Sequence, residues 1–263
     1  MIFENVTITK NREIATGIWK MEFYAPEISS KYNGVGQFIQ IQIESGWEYP
    51  LRRPMSIAGC NENTMSIIYK IFGTGTSILS KKIPGETINI LGPLGNIFNL
   101  DSNHTRILVG GGVGLAPIVN LWNQFNGNTE NTYLIIGART KDEHIHAHEP
   151  DKHIYLTTDD GSLGTKGTVM ITLVELCENE RKIPEVFACG PEPMLKEVQS
   201  YVTRNSIPAQ LAVESYMGCG VGICQGCVIL RQNNNKKEHS YHEHYSLVCI
   251  DGPVYNAGDI IFD

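Results

Sequence analysis

The sequence predicts a three-part chain: an antiparallel β-barrel over residues 1–101, a doubly wound parallel α/β nucleotide-binding domain over 102–211, and a small metal-cluster domain over 212–263. Three observations predict it. Apolar and polar residues alternate with a period of two through the first hundred or so positions. From Thr105 onward, short apolar strands, glycine turns and helical stretches follow one another in alternation. Near the C-terminus, three cysteines fall within the eleven residues MGCGVGICQGC, positions 217–227.

The barrel strands are read first. In GIWKMEFYAP, Trp19, Met21 and Phe23 alternate with Lys20, Glu22 and Tyr24, and in QFIQIQI, Ile39, Ile41 and Ile43 alternate with glutamines. This is the pattern of half-buried antiparallel strands. MSIIYKIFG and ETINILG repeat it, with turns supplied by Gly34, Gly36, Gly73, Pro84, Gly85 and Gly92, so a small barrel is the simplest closure. Two stretches in it look chemical. LRRPMSIAG sets Arg52 and Arg53 ahead of Pro54, Met55 and Ser56; a guanidinium fork recognises pyrophosphate bidentately, and proline fixes the strand that carries it. KIFGTGTSILS runs from a strand through Gly73, Gly75 and Thr76 into apolar residues at helical spacing, a turn of the kind that offers N–H groups to an anion. Each signal alone is weak, because an arginine pair is usually a solvated face and Gly-x-Gly is often only a turn.

In the middle domain, RILVGGGVGLAPIVNLWNQF reads as strand, glycine turn and helix. Gly110, Gly111, Gly112 and Gly114 would let backbone amides approach a pyrophosphate at the helix N-terminus, although the spacing departs from G-x-G-x-x-G. Strands in NTYLIIGART, HIYLTTDD and PEVFACGP alternate with the helical stretches TVMITLVELCEN and EPMLKEVQSYVTR. That order implies a parallel, doubly wound sheet whose ligand lies across the carboxyl ends of the strands. Arg139 suits a 2′-phosphate while Asp142 and Glu143 oppose one, and the balance favours NAD over NADP.

In the C-terminal part, Cys219, Cys224 and Cys227 form C-x4-C-x2-C, and Cys249 follows 22 positions later. Three close thiolates and a distant fourth is the spacing of a [2Fe-2S] ligand loop. Gly218, Gly220, Gly222 and Gly226 suit a loop drawn close to an anionic cluster and would spoil a helix or strand. A structural zinc is the rival, with His239, His242 and His244 nearby, but zinc thiols come as paired short knuckles rather than as three plus one. Cys60 and Cys177 have no partners in sequence and read as packing residues. Clustered cysteines, seven in all, fit metal-binding thiols in a reducing cytosol better than a disulfide framework.

Composition excludes other classes. Hydrophobic content of 41% and charged content of 19% are ordinary for a globular chain. A net charge of −7 without a basic stripe argues against nucleic-acid binding. The run from Ile107 to Trp122 is broken by glycines and a proline, so no membrane span is expected, and MIFENVTITKNRE does not read as a signal peptide. A cytoplasmic location is the expectation. No Ser/His/Asp set or catalytic carboxylate pair stands out.

The run Arg53-Pro54-Met55-Ser56, then Gly75-Thr76, then GPLGN at 92–96, resembles the FAD-binding barrel of the ferredoxin reductase superfamily, and the resemblance extends through the middle domain. It implies that Arg53 meets the FAD pyrophosphate with Pro54 and Met55 beside it, and that Ser56 sits near the reactive flavin nitrogen. It also implies that Ile68, Tyr69 and Lys70 line the cofactor while Gly75 and Thr76 hold its phosphates. Met55 stands where plant-type members have a tyrosine. In the middle domain the resemblance implies that Gly111, Gly112 and Gly114 hold the nicotinamide dinucleotide, Asp160 and Gly161 border it, and Cys189, Gly190 and Pro191 approach the nicotinamide ring. Ser56 and Cys189 would then lie near the hydride path.

At full length, the order of barrel, nucleotide domain, ESYMGCGVGICQGC and VCIDGPVY resembles the family of electron-transfer subunits of dihydroorotate dehydrogenase B, of pyrimidine biosynthesis. The resemblance implies FAD, a [2Fe-2S] cluster on Cys219, Cys224, Cys227 and Cys249, and NAD as cosubstrate. It further implies an FMN-containing catalytic subunit as partner, in a heterotetramer of two subunits of each kind. Two departures are the long separation of Cys227 from Cys249, through NNNKKEHSYHEH, and Tyr216 where a basic residue is common. The alternatives are the small subunit of a related ferredoxin:NAD(P) oxidoreductase or sulfide dehydrogenase and, from another class, a metal-bearing interaction protein without catalysis.

Overall fold

A computed structural model of the chain describes residues 1–44, 46–100, 104–125, 131–180, 183–232 and 244–262. The first eight elements are β1 (Ile2–Ala15), β2 (Ile18–Tyr24), α1 (Pro26–Ser29), β3 (Phe38–Ile41), β4 (Arg53–Asn61), β5 (Thr64–Lys70), α2 (Thr74–Ser80) and β6 (Thr87–Leu94). Their strands close a barrel in the order β1-β2-β5-β4-β3-β6, every pairing antiparallel. The period-two pattern explains the closure. Met21, Phe23, Ile39, Ile41, Ile57 and Ile67 turn inward into one fully buried cluster, and the alternate residues of the same strands face out.

The second part runs through β7 (Arg106–Gly111), α3 (Leu115–Gln124), β8 (Thr132–Ala138), β9 (Ile154–Thr158), β10 (Thr165–Lys166), α4 (Val169–Asn179), β11 (Glu185–Cys189), α5 (Glu192–Arg204) and β12 (Ala209–Ala212). Successive residues of its strands feed opposite faces. Leu108, Leu134, Ile136 and Phe187 pack with α3, whereas Ile107, Val109, Ile135 and Val186 pack with α4 and α5. The sheet is therefore doubly wound, as its continuous apolar strands require. The order is β10-β9-β8-β7-β11-β12, parallel throughout, with one antiparallel strand added at the β12 edge.

That added strand is β15 (Val254–Asn256), from the C-terminal part. The remaining strands, β13 (Val228–Arg231), β14 (Tyr245–Leu247) and β16 (Ile260–Ile261), form a small antiparallel sheet in the order β14-β13-β16. A division at residue 211 thus cuts across one sheet. The parts share their cores: Phe38, Leu91 and Leu94 of the barrel bury against Val213, Cys227, Val248 and Cys249, while Ile18, Ala58 and Ile68 join the α3 face of the nucleotide domain. Each such fully buried side chain contributes roughly 1.5–3 kcal/mol, enough to hold the cluster loop on the barrel. Cys60 and Cys177 are half-buried packing residues, as their isolation in sequence suggests.

Candidate functional site

The four cysteines expected to hold a cluster meet in two pairs. The Cys224 N–H donates to Cys219 Sγ at 3.3 Å, and the Cys249 N–H donates to Cys227 Sγ at 3.4 Å. The Val221 N–H also reaches Cys219 Sγ at 3.4 Å, and the Gly222 N–H reaches Cys249 Sγ at 3.2 Å. Among the described residues, no three His, Cys, Asp or Glu side chains converge on a single metal position. Two pairs of thiols with N–H donors on their sulfurs would suit a [2Fe-2S] cluster, which takes two thiolates at each iron, whereas one tetrahedral zinc needs four ligands around one point. Burial pushes the Cys219 thiol up, but the amides of Cys224 and Val221 bring it down to about 7, toward the thiolate a metal requires. Burial and the adjacent Cys227 push Cys249 up to about 12.

Gly220, at φ +72°, is a position where the loop needs glycine: a Cβ there would lie 2.6 Å from Gln40 Nε2. His244 is exposed at the edge of the small sheet, and His239 and His242 lie outside the described residues. Cys227 and Cys249 are buried, but Cys224 is exposed, with Ile223 81% and Ile250 52% exposed nearby in the chain.

On the barrel, the Arg53 and Gly75 motifs meet. A Cβ on Gly75 would lie 3.4 Å from Arg53 Nε, so Gly75 lets the start of α2 approach the guanidinium that heads β4. Arg53 Nη1 donates to the Leu51 carbonyl at 2.8 Å. Thr76 Oγ1 accepts from the Phe72 and Gly73 N–H groups at 2.9 and 3.2 Å, so its hydroxyl ties the turn together. Pro54 and Ser56 stand opposite Gln40 and Phe38 of β3, while Met55 packs on the barrel core.

The three residues on β5 divide. Tyr69 is buried in the barrel with its hydroxyl on Asn11 Oδ1 at 3.0 Å, and burial raises its pKa. Alternation turns the Tyr69 ring inward, into the barrel core. Ile68 joins the core shared with the nucleotide domain, and Lys70 reaches Glu143 Oε1 at 2.9 Å.

At the carboxyl ends of β7, β8 and β9 lies a cavity of about 390 Å³, lined by Gly111, Gly112, Arg139, Asp159, Pro191 and Met194 among others. Gly114 is closely packed: a Cβ there would sit 2.3 Å from the Cys189 carbonyl. Cys189 is buried, and that burial, then the nearby Glu214 carboxylate, pushes its thiol well up. Asp159, not Asp160, lines the cavity. Asp160 is exposed and accepts from the Ser162 N–H and hydroxyl at 2.9 and 2.6 Å, which lower its pKa. Gly161, at φ +77°, turns against the Lys166 side chain. Arg139 gives both Nε and Nη2 to Glu143 Oε1, at 3.1 and 2.7 Å, so the cation that suited a 2′-phosphate is held by a carboxylate it shares with Lys70.

A second cavity, of about 480 Å³, is bounded by Phe72 of the barrel, Gly190 and Glu192 of the nucleotide domain, and Glu214, Tyr216 and Val248 of the C-terminal part. Desolvation at the cavity wall pushes Glu214 up to about 7, although its side chain keeps an exposed face toward solvent. Sequence reading missed Glu214, Asp159 and Gln40. Glu214 opens the ESYMGCGVGICQGC run, and nothing local marks its carboxylate.

Family models match residues 214–261 as the iron-sulfur cluster binding domain of dihydroorotate dehydrogenase B and residues 108–200 as an oxidoreductase NAD-binding domain. The dihydroorotate dehydrogenase B (NAD(+)) electron transfer subunit of Fusobacterium nucleatum subsp. nucleatum is 37% identical, over 99% of this chain and 99% of its own. The subunit of the same name from a Geobacillus species is 35% identical, over 98% of each chain. A solved NADH-dependent reduced ferredoxin-NADP oxidoreductase, studied for flavin-based electron bifurcation, superimposes with a TM-score of 0.83 at 27% identity, over 98% of this chain and 90% of its own. Phthalate dioxygenase reductase shares the fold at a TM-score of 0.64 and 17% identity, over 94% of each chain. On near-full-length identity above a third, and a C-terminal model matched across all four paired cysteines, this chain belongs to the family of dihydroorotate dehydrogenase B electron transfer subunits.

Proposed function

We propose that this chain relays electrons between a catalytic subunit that oxidises dihydroorotate on FMN and NAD, in pyrimidine biosynthesis. The cavity at the junction of all three parts supports this reading, because a converter between single electrons and hydride has to sit where the nucleotide domain and the segments flanking the cluster cysteines both reach. When bound, the [2Fe-2S] cluster supplies one-electron exchange and FAD the conversion to a hydride that NAD accepts.

The chain's own residues hold and separate these groups. Cys219, Cys224, Cys227 and Cys249 are the ligand set, and the N–H donors of Val221, Gly222, Cys224 and Cys249 offset negative charge on the sulfurs. Arg53 binds the FAD pyrophosphate, with Gly75 opening the approach and Pro54, Met55 and Ser56 setting the strand edge. Gly111, Gly112, Gly190 and Pro191 border the nicotinamide dinucleotide, with Asp159 in place of Asp160 on the ribose side. Glu143, paired with both Arg139 and Lys70, and Asp159 beside Arg139 place two carboxylates against the two cations, which opposes a 2′-phosphate and supports NAD. Cys189 keeps its thiol protonated and buried, shielding rather than reacting.

The exposed Ile223, Cys224 and Ile250 mark the face on which the catalytic subunit docks, within a heterotetramer of two subunits of each kind. Among the described residues, no helix is long and apolar enough to cross a membrane, and we place the complex in the cytoplasm. The three-part division is proposed as a division of labour, since β15 ties the last part into the nucleotide sheet.

The test is chain purified without oxygen. Flavin bands, with iron and sulfide near two each per chain, are expected; NADH bleaches the flavin, and dihydroorotate turnover appears only when the FMN subunit is added. A protein with neither flavin nor iron would overturn the reading. The likeness to the ferredoxin-NADP oxidoreductase favours a second reading, a related reductase subunit, and co-purification with an FMN-free partner would select it.

A further inference from the structure

We propose that the side-chain amide of Gln40 donates a hydrogen bond to a sulfur of the cluster and thereby sets how readily that cluster accepts an electron. The inference rests on the reading that Cys219, Cys224, Cys227 and Cys249 hold a [2Fe-2S] cluster.

Gln40 lies in β3, where Ile39 and Ile41 turn into the barrel. Alternation sends Gln40 out the other side together with Phe38, whose ring joins the apolar layer containing Cys227 and Cys249. The residue is fully buried there, at 0% exposure, and among the described residues neither Nε2 nor Oε1 has a hydrogen-bond partner. A buried carboxamide with both ends unsatisfied is costly, so a polar partner is expected at this place. What it faces is the ligand loop. A Cβ on Gly220, the residue after Cys219, would lie 2.6 Å from Gln40 Nε2 and 2.8 Å from its Cγ, so the amide is packed against that backbone with its donor end foremost.

The chemistry of the neighbours says what the donor serves. The backbone N–H groups of Val221, Gly222, Cys224 and Cys249 are already directed to cysteine sulfurs. A neutral N–H added to that set stabilises the more negative, reduced cluster over the oxidised one, and hydrogen bonds to sulfur are among the factors that set such potentials. The position also links the two redox sites. Gln40 pairs across the ladder with Pro54, the residue beside Arg53, so one strand pair carries the flavin-side motif and the donor to the cluster.

The experiment is Gln40→Leu in the full chain with its cofactors, followed by a potentiometric titration in which the reduced cluster is read by EPR. The expected result is a cluster present at the wild-type iron and sulfide content whose oxidised-to-reduced ratio at fixed potential rises about tenfold, a shift of ~59 mV downward for a one-electron couple. An intact cluster with an unchanged potential overturns the inference and leaves the proposed function standing. A wild-type chain without iron and sulfide overturns the proposed function itself. Should Gln40→Leu not fold, the chain labelled with ¹⁵N at glutamine side chains, in a Gln225→Asn background that removes the glutamine of the ligand loop, answers the same question. Pulsed EPR is expected to detect a coupled side-chain nitrogen, and its absence overturns the inference.

Discussion

Asn96 and Val254 pair through a single side chain: the Asn96 amide donates to the Val254 carbonyl at 2.8 Å and accepts the Val254 N–H at 2.9 Å. The same amide reaches the Asp251 carbonyl at 2.9 Å, and the Asn96 N–H meets the Gly252 carbonyl at 2.7 Å. The GPLGN turn of the barrel thus grips the segment that follows Cys249. Asn96→Ala is expected to destabilise the chain by about 1–3 kcal/mol, since it leaves backbone groups unpaired, and to lower iron content. Urea unfolding and iron assay check both.

Glu143 joins the two cations of the nucleotide cavity, Arg139 and Lys70. Burial pushes its carboxyl up, but the bonds from Arg139 and Lys70 outweigh that and hold it below the usual range. The sign follows: this pairing stabilises the fold above the unfolded carboxyl pKa and is lost as pH falls through the lower folded one. Glu143→Gln leaves both cations uncompensated. The preference for NADH over NADPH in flavin reduction is expected to fall about tenfold, roughly 1.4 kcal/mol, in stopped-flow traces with each nucleotide.

Glu214 has the opposite shift, up to about 7, caused by desolvation where the three parts meet, and its exposed face makes the resulting pH dependence small. Its folded form holds the proton more tightly than the unfolded chain does. Stability is therefore full below the unfolded carboxyl pKa and declines as pH rises toward 7. Glu214→Gln removes that decline, and unfolding midpoints measured from pH 4.5 to 8 are expected to flatten relative to the parent. A parent profile as flat as that of the variant would contradict the assignment.

Cys249 supplies the distant thiol, paired with Cys227. Cys249→Ser is expected to lose most of the cluster signal and the exchange with the catalytic subunit, while NADH still bleaches the FAD. Failure of flavin reduction in a variant that retains FAD would count against separate sites in one chain.

Much of this architecture was readable in order of residues. The alternation of Trp19, Met21 and Phe23, and of Ile39 and Ile41, determined a barrel because a period of two can bury only one face of a strand. Apolar strands alternating with helices determined the doubly wound sheet, and C-x4-C-x2-C pointed to a ligand loop because ligand spacing is a local property of the chain, whereas the approach of Cys249 to Cys227 is tertiary. Tertiary structure decided the rest. The inward turn of Tyr69, the preference for Asp159 over Asp160, and the capture of Arg139 by Glu143 depend on which way a side chain points once strands are paired. The addition of β15 to the nucleotide sheet, the grip of Asn96 on Val254, and the burial of Gln40 against Gly220 join segments more than forty residues apart. No local pattern encodes such contacts, since they form only when separate cores are packed against one another.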